Sequence, residues 1–234
     1  AVKGELSRKV SKATCVVLSP WMTCEEAWLL VKTVRAAVPQ VQLVLGPVPS
    51  GQTDELFPVG MKDEAKAKFI IRAEKCPNRK GVTAVIKAVT GSEPVKFADF
   101  LKQASQGQIG LAWIVGGYPQ EWVTAEMSSA IGKIERTIVQ DIFPSTLSQA
   151  ASVVLPSCAW VEREGTFINH GGIAQPVDAV LATPVGCQND GQYLYRLAGM
   201  EGLYRAAKVR EQMVEKVSEL REIYSPPVET RQMH

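Results

Sequence analysis

Five short apolar runs, each stopped abruptly, limit what this chain can fold into. They cover residues 13–18, 41–45, 109–115, 137–140 and 153–155. Short apolar runs bounded by turn signals suit strands buried in a parallel sheet. Pro20 ends the first, Gly116-Gly117 follows the third, Asp141 closes the fourth and Pro156 stops the fifth. Helical patterns lie between them. Thr23 with Glu26 three residues later is a capping box. The helix it opens runs to about Val38, with Ala27, Leu30, Val31, Val34 and Val38 on one face, and Pro39 stops it. Residues 121–134 read as a helix between the third and fourth runs, and Ser145 or Thr146 caps a short helix through Ala150. Strand, helix, strand in this order predicts an α/β fold, a Rossmann-like parallel sheet with flanking helices.

The remaining segments are less regular. Residues 46–60, with Pro47, Pro49 and Pro58, read as a loop or interdomain linker. Residues 61–68 are either a surface helix turn or an edge segment, and 69–71 a short strand. Helices are expected over 81–89 and 95–105. Residues 166–169 and 173–177 pair as a hairpin around His170-Gly171-Gly172. Asp190 starts a helix to about Met200, and residues 205–224 form a long amphipathic helix ended by Pro226-Pro227. This divides the chain into a first β-α-β portion with its linker (1–60), a main α/β portion (61–204) and a C-terminal helix and tail (205–234).

The 234 residues suffice for one large domain or two small ones, and 46% hydrophobic with 21% charged residues is ordinary for a globular protein. A net charge of +2 is too mild for a nucleic-acid partner, and mean hydropathy of −0.01 leaves no transmembrane run. Ala1 is not Met and no signal peptide follows, so an excised fragment or processed chain is expected. Cys15, Cys24, Cys76, Cys158 and Cys187 form no C-x-x-C pair, which argues against a cluster or metal site, and an odd count without a secretory signal suggests reduced thiols in a cytosolic compartment.

Several residues carry both a functional and a structural reading. Gly116-Gly117 lies between a strand and a helix, where backbone N–H groups and the helix dipole suit a phosphate; a tight turn needing small residues explains it as well. It is not a G-x-G-x-x-G fingerprint, so a free-standing NAD site is not expected. Asp141, just past a strand end, suits a ribose or guanine donor pair, or else a turn or helix cap. Glu162-Arg163-Glu164 is either a solvated charge run or a phosphate anchor through the Arg163 fork. Asp190 serves as a ligand contact or a plain N-cap. His170, inside the fold, has no aligned Ser, Cys or second His, so no catalytic residue is assigned.

The order of these segments resembles the molybdopterin oxidoreductases and their relative, the large iron–sulfur subunit of NADH-quinone oxidoreductase (complex I). Gln140-Asp141 ends a strand as in that family, 152–156 stands for its "DVVLP" strand, and 160–169 matches "W-x-E-x-E-G-T-x-x-N". Residues 19–27 resemble "S-P-x-x-T-N-E-E", with Cys24 for Asn and Trp28 near the usual Tyr. Pro77-Asn78 with Gly81 resembles "P-N-x-x-G". Gly116 and Pro119 match "G-x-N-P", but Tyr118 stands where the family has Asn. The resemblance covers roughly residues 13–45 and 108–200.

It implies the middle α/β domains of formate dehydrogenase or DMSO reductase type. By that resemblance the Gly116-Gly117-Tyr118 loop touches the dinucleotide end of the pterin, Gln140 and Asp141 contact its guanosine, and Arg163 and Asp190 are further cofactor contacts. Glu164, Gly165 and Thr166 are expected to be structural. It also implies iron–sulfur clusters in a cysteine-rich region before this segment, and a molybdopterin guanine dinucleotide if the parent is a molybdoenzyme, with no cofactor held by this fragment alone. The expected function is electron transfer from NADH toward quinone, with this segment as the pterin-fold scaffold of the large iron–sulfur subunit of complex I. The rivals are an active molybdopterin oxidoreductase such as a formate dehydrogenase and a non-enzymatic docking domain built on the helix 205–224. The expected partners are other subunits of a redox complex, in the cytoplasm or at a membrane through those subunits.

Overall fold

A computed structural model describes residues 1–8, 10–51 and 53–216. Its centre is a five-stranded sheet of β1 (Ala13–Leu18), β2 (Gln42–Leu45), β5 (Ile109–Val115), β6 (Arg136–Asp141) and β7 (Val153–Pro156). The spatial order is β2-β1-β5-β6-β7 and every pairing is parallel. This is the Rossmann-like α/β arrangement expected from the apolar runs.

Side chains alternate across the sheet and divide the core in two. Val16, Leu18, Leu111, Trp113, Val115 and Ile138 face one cluster with α2 (Cys24–Ala37), α3 (Arg79–Thr90), α7 (Asp190–Leu197) and α8 (Ala206–Lys216). Cys15, Val17, Val44, Ala112, Ile114 and Val139 face the other, covered by α4 (Phe97–Ser105), by α5 (Ala125–Ile131) with Ile134 just beyond it, and by α6 (Thr146–Ala150). All seven residues of β5 are buried, because helices cover both faces of this central strand.

The capping box opening α2 is present in both directions: Thr23 Oγ1 accepts from the Glu26 N–H and a Glu26 carboxylate oxygen accepts from the Thr23 N–H at 2.9 Å. The hairpin forms as β8 (Gly165–Ile168) and β9 (Ala174–Val177). A 3₁₀ turn, Trp160–Glu162, precedes it.

Other expectations change. The stretch read as a linker contains β3 (Glu55–Phe57), which pairs antiparallel with β4 (Phe69–Ile71); Phe57 and Phe69 stack with centroids 4.4 Å apart. A proline-rich composition conceals this short excursion. The segment 61–68 carries a 3₁₀ turn, Glu64–Lys66. Val95 bridges to Val44 instead of joining α4. Residues 121–124 are not helical, and α5 begins only where Thr124 accepts from the Met127 N–H. A short helix, α1 (Val2–Ser7), buries Val2 and Leu6.

The boundary at residue 60 falls inside the β3–β4 hairpin, and β1 and β2 share one sheet with β5, β6 and β7. Val209 and Met213 of α8 are fully buried in the α2 cluster, so this helix covers the chain's own core. The expected continuation over 217–224 lies outside the described residues. No helix among the described residues is long and apolar enough to cross a membrane.

Candidate functional site

In this strand order the chain departs from β1 toward β2 on one side and returns at β5 on the other. The topological switch point therefore lies at the carboxyl ends of β1 and β5, where open α/β sheets gather ligands. A cavity of about 480 Å³ lies there, lined by Trp21, Pro47, Lys75, Tyr118 and Trp122. A second, of about 330 Å³, is lined by Trp122, Asp141, Phe143 and Ser145. Residues 119–122 line both.

Gly116, Gly117, Tyr118 and Asp141 come together, and they largely satisfy one another. Asp141 Oδ1 accepts from the N–H groups of Gly117 and Ile142, each at 2.8 Å, and Oδ2 accepts from Trp122 Nε1 at 2.8 Å. A Cβ on Gly116 would overlap this carboxylate, and Gly117 adopts φ +85°, so the turn requires two glycines for two different reasons. The helix dipole expected here is displaced: α5 starts at Ala125, and residues 118–124 separate it from the turn. Tyr118 is buried, donates from its hydroxyl to the Pro47 carbonyl at 2.7 Å and packs on Trp122 with centroids 4.8 Å apart. Burial pushes its phenol pKa well up.

Gln140, Arg163 and Asp190 form an adjoining buried cluster. Gln140 accepts from Trp113 Nε1 and donates to Asp190 Oδ1 at 2.8 Å. Asp190 Oδ2 meets the Ser157 hydroxyl and lies 2.9 Å from Arg163. Asn189 is the N-cap of α7, accepting from the Gln192 N–H, which leaves Asp190 to face this cluster. Arg163 is 3% exposed and pairs also with Glu26 at 3.2 Å. Burial disfavours its charge, but Glu26 and Asp190 together raise its pKa. Its place in a charge triplet suggests solvent; the fold turns it inward. The Gly117 turn and Arg163 are close: a Cβ on Gly117 would lie 3.8 Å from the guanidinium.

Sequence reasoning did not single out Glu25, Glu26, Trp122, Ser157 or Arg210 for this site. Glu25 accepts from the Thr166 N–H and hydroxyl, each at 2.7 Å, and from Arg210 at 3.0 Å. The paired glutamates in the capping box were the available signal, but a first-turn acid is ordinarily exposed. Asn78 fastens three segments: it donates to the Met22 carbonyl, accepts from the Ile168 N–H at 2.7 Å and touches Cys24 Sγ. His170 lies apart, lining a separate cavity with Arg72, Glu74 and Cys76. Among the described residues no group of three or more His, Cys, Asp or Glu could hold a metal ion.

The sequence profile described as molybdopterin oxidoreductase matches residues 42–200, spanning β2 through α7 and including each of the cofactor-contact candidates. The chain belongs to the molybdopterin oxidoreductase family. It is 37% identical to formate dehydrogenase H of Escherichia coli over 75 residues, 31% of this chain and 10% of that protein. It is 26% identical to the NADPH-Fe(3+) oxidoreductase subunit alpha of Geobacter sulfurreducens over 190 residues, 76% of this chain and 22% of that protein. The chain thus spans about a tenth to a fifth of the length of these relatives.

The family name implies a molybdopterin cofactor, and the side chains expected to contact it are largely engaged by the chain's own groups. Both acceptor directions of Asp141 Oδ1 are taken by backbone donors and Oδ2 holds Trp122. The space beside Gly116 is filled by that same carboxylate, and the Arg163 fork is held by two acids.

Proposed function

We propose that the chain is the central α/β portion of a redox-complex subunit in which the family's cofactor cradle persists as scaffold, supporting electron transfer from NADH toward quinone in the manner of the large iron–sulfur subunit of NADH-quinone oxidoreductase. The observation that carries this reading is the closure of the Asp141 carboxylate by Gly117, Ile142 and Trp122. A guanosine would meet a carboxylate on which three donors already sit, two on Oδ1 and one on Oδ2. Tyr118, standing where the family has Asn, adds a buried phenol and no side-chain amide. The iron–sulfur clusters and the subunits that pass electrons belong, in this reading, to the larger protein and its complex. That complex would sit in the cytoplasm or against a membrane held by its other subunits.

The test is metal and pterin analysis of the intact subunit carrying this sequence, purified from a host that makes the cofactor. The expected result is iron without stoichiometric molybdenum, tungsten or pterin. One pterin with molybdenum or tungsten per subunit, together with formate oxidation, would replace this reading by the second. That second reading, an active formate-type molybdopterin oxidoreductase, draws on the 37% identity to formate dehydrogenase H.

A further inference from the structure

The buried cluster beneath the switch point contains more acid than base. Arg163 lies between Glu26 and Asp190, at 3.2 and 2.9 Å, and all three side chains are nearly inaccessible, at 3%, 1% and 4%. Two carboxylates against one guanidinium leave an excess negative charge in a region where an uncompensated charge is costly. Among the described residues the other charged and titratable groups do not remove it. Glu25, next to Glu26 on α2, is engaged with Arg210 and Thr166. Cys158 and Tyr204 face Glu26 from the segments preceding the Trp160–Glu162 turn and α8, and burial, with carboxylates nearby, pushes both of their pKa values up, so both stay neutral.

The two acids are served unequally. Asp190 has partners on both oxygens: Gln140 on Oδ1, and Ser157 with Arg163 on Oδ2. Glu26 has both of its donors, the Thr23 N–H and Arg163, on Oε2, while Oε1 is buried without a hydrogen-bond partner among the described residues. A naked buried oxygen is tolerated far better on a neutral carboxyl than on a carboxylate. We propose that Glu26 carries a proton on Oε1 in the folded protein at neutral pH, and that losing it on the alkaline side loosens the junction of α2, α7 and the Arg163 segment. This protonation does not depend on whether a pterin binds.

Burial, and then the neighbouring acids, raise the Glu26 pKa from its ordinary 4.5, while Arg163 opposes the rise. The folded state therefore binds more protons than the unfolded state above 4.5. Stability must fall as pH rises from there through the raised folded value.

Infrared spectroscopy of the full chain at neutral pH provides the decisive measurement. The expected result is a carboxylic-acid C=O stretch above the amide I band, lost in Glu26→Gln. Absence of that band in the wild-type protein overturns the proposal, whether or not any variant folds. A band that persists in a folded Glu26→Gln variant overturns it equally, since another acid then holds the proton. Gln at this position keeps the capping box. Glu26→Gln should accordingly lose the Glu26-linked decline in denaturation midpoint expected of the wild type as pH rises above 4.5. An unchanged decline in that variant counts against Glu26. If Glu26→Gln does not fold, Asp190→Asn substitutes for it: removing the excess acid should let Glu26 ionise and abolish the band, and persistence of the band would overturn the excess-charge argument.

Discussion

A carboxylate at a strand end is only as available as its lone pairs, and Asp141 has placed its own inside its loop. Asp141→Asn keeps the size but turns an NH₂ group toward either the backbone donors or Trp122 Nε1, orphaning at least one of them. Leaving a buried donor unmade costs about 1–3 kcal/mol, which urea denaturation would register as a lower midpoint with unchanged slope. If Asp141 were held in reserve for a ligand, the variant would keep wild-type stability. The thiols give a second residue-level expectation. Cys15 and Cys158 are buried and burial pushes both thiols up to about 12. The thiolate is the reactive form, so neither should react with iodoacetamide at neutral pH until the protein unfolds. Peptide mapping of the labelled sites across a urea series would check this.

At the scale of elements, the family-like motifs act as fasteners between α2, α3 and the β8–β9 hairpin. A Cβ on Gly165 would overlap the Thr23 side chain, the cap of α2. Gly165→Ala must therefore push the hairpin off the helix start, at a cost of about 1–3 kcal/mol, as overpacking usually brings. The thermal midpoint measures this, and an unshifted midpoint would mean that the hairpin is free to yield. Gly81 similarly brings α3 against Asn78 and Cys24. Asn78→Ala orphans the Ile168 N–H and the Met22 carbonyl, each worth about 1–3 kcal/mol when left buried and unpaired. Amide exchange at Ile168 should accelerate more than exchange in β5 if the loss is local to the hairpin.

For the whole molecule, the sheet is a platform covered on both faces, and α8 completes one of the covers. A chain truncated before α8 uncovers the contacts of Val209 and Met213. Two such side chains are worth about 3–6 kcal/mol at about 1.5–3 kcal/mol each. Chemical denaturation of the truncated chain should show a loss of that size. A partner pull-down comparing the two forms must control for it, because lost binding then follows from a damaged core. Stability unchanged by the truncation would return α8 to the role of a free docking helix.

Sequence alone determined the platform. Apolar runs alternating with helix patterns leave few arrangements other than a parallel sheet between helices, since each run must bury two faces and each helix one. The spacing of Thr23 and Glu26 and the tight turn at Gly116-Gly117 were legible because capping and turning are local demands on residue type; that Asp141 fills the space beside Gly116 was not. Tertiary structure decided which polar groups were already spent. The Arg163 fork, read as either a solvated charge or a phosphate anchor, is enclosed by Glu26, 137 residues away in sequence, and by Asp190. Whether a side chain meets a ligand or its own protein depends on such long-range pairings, and these appear in no local spacing. The same reason hid Trp122, read as helix yet turned onto Asp141, and the unpartnered oxygen of Glu26.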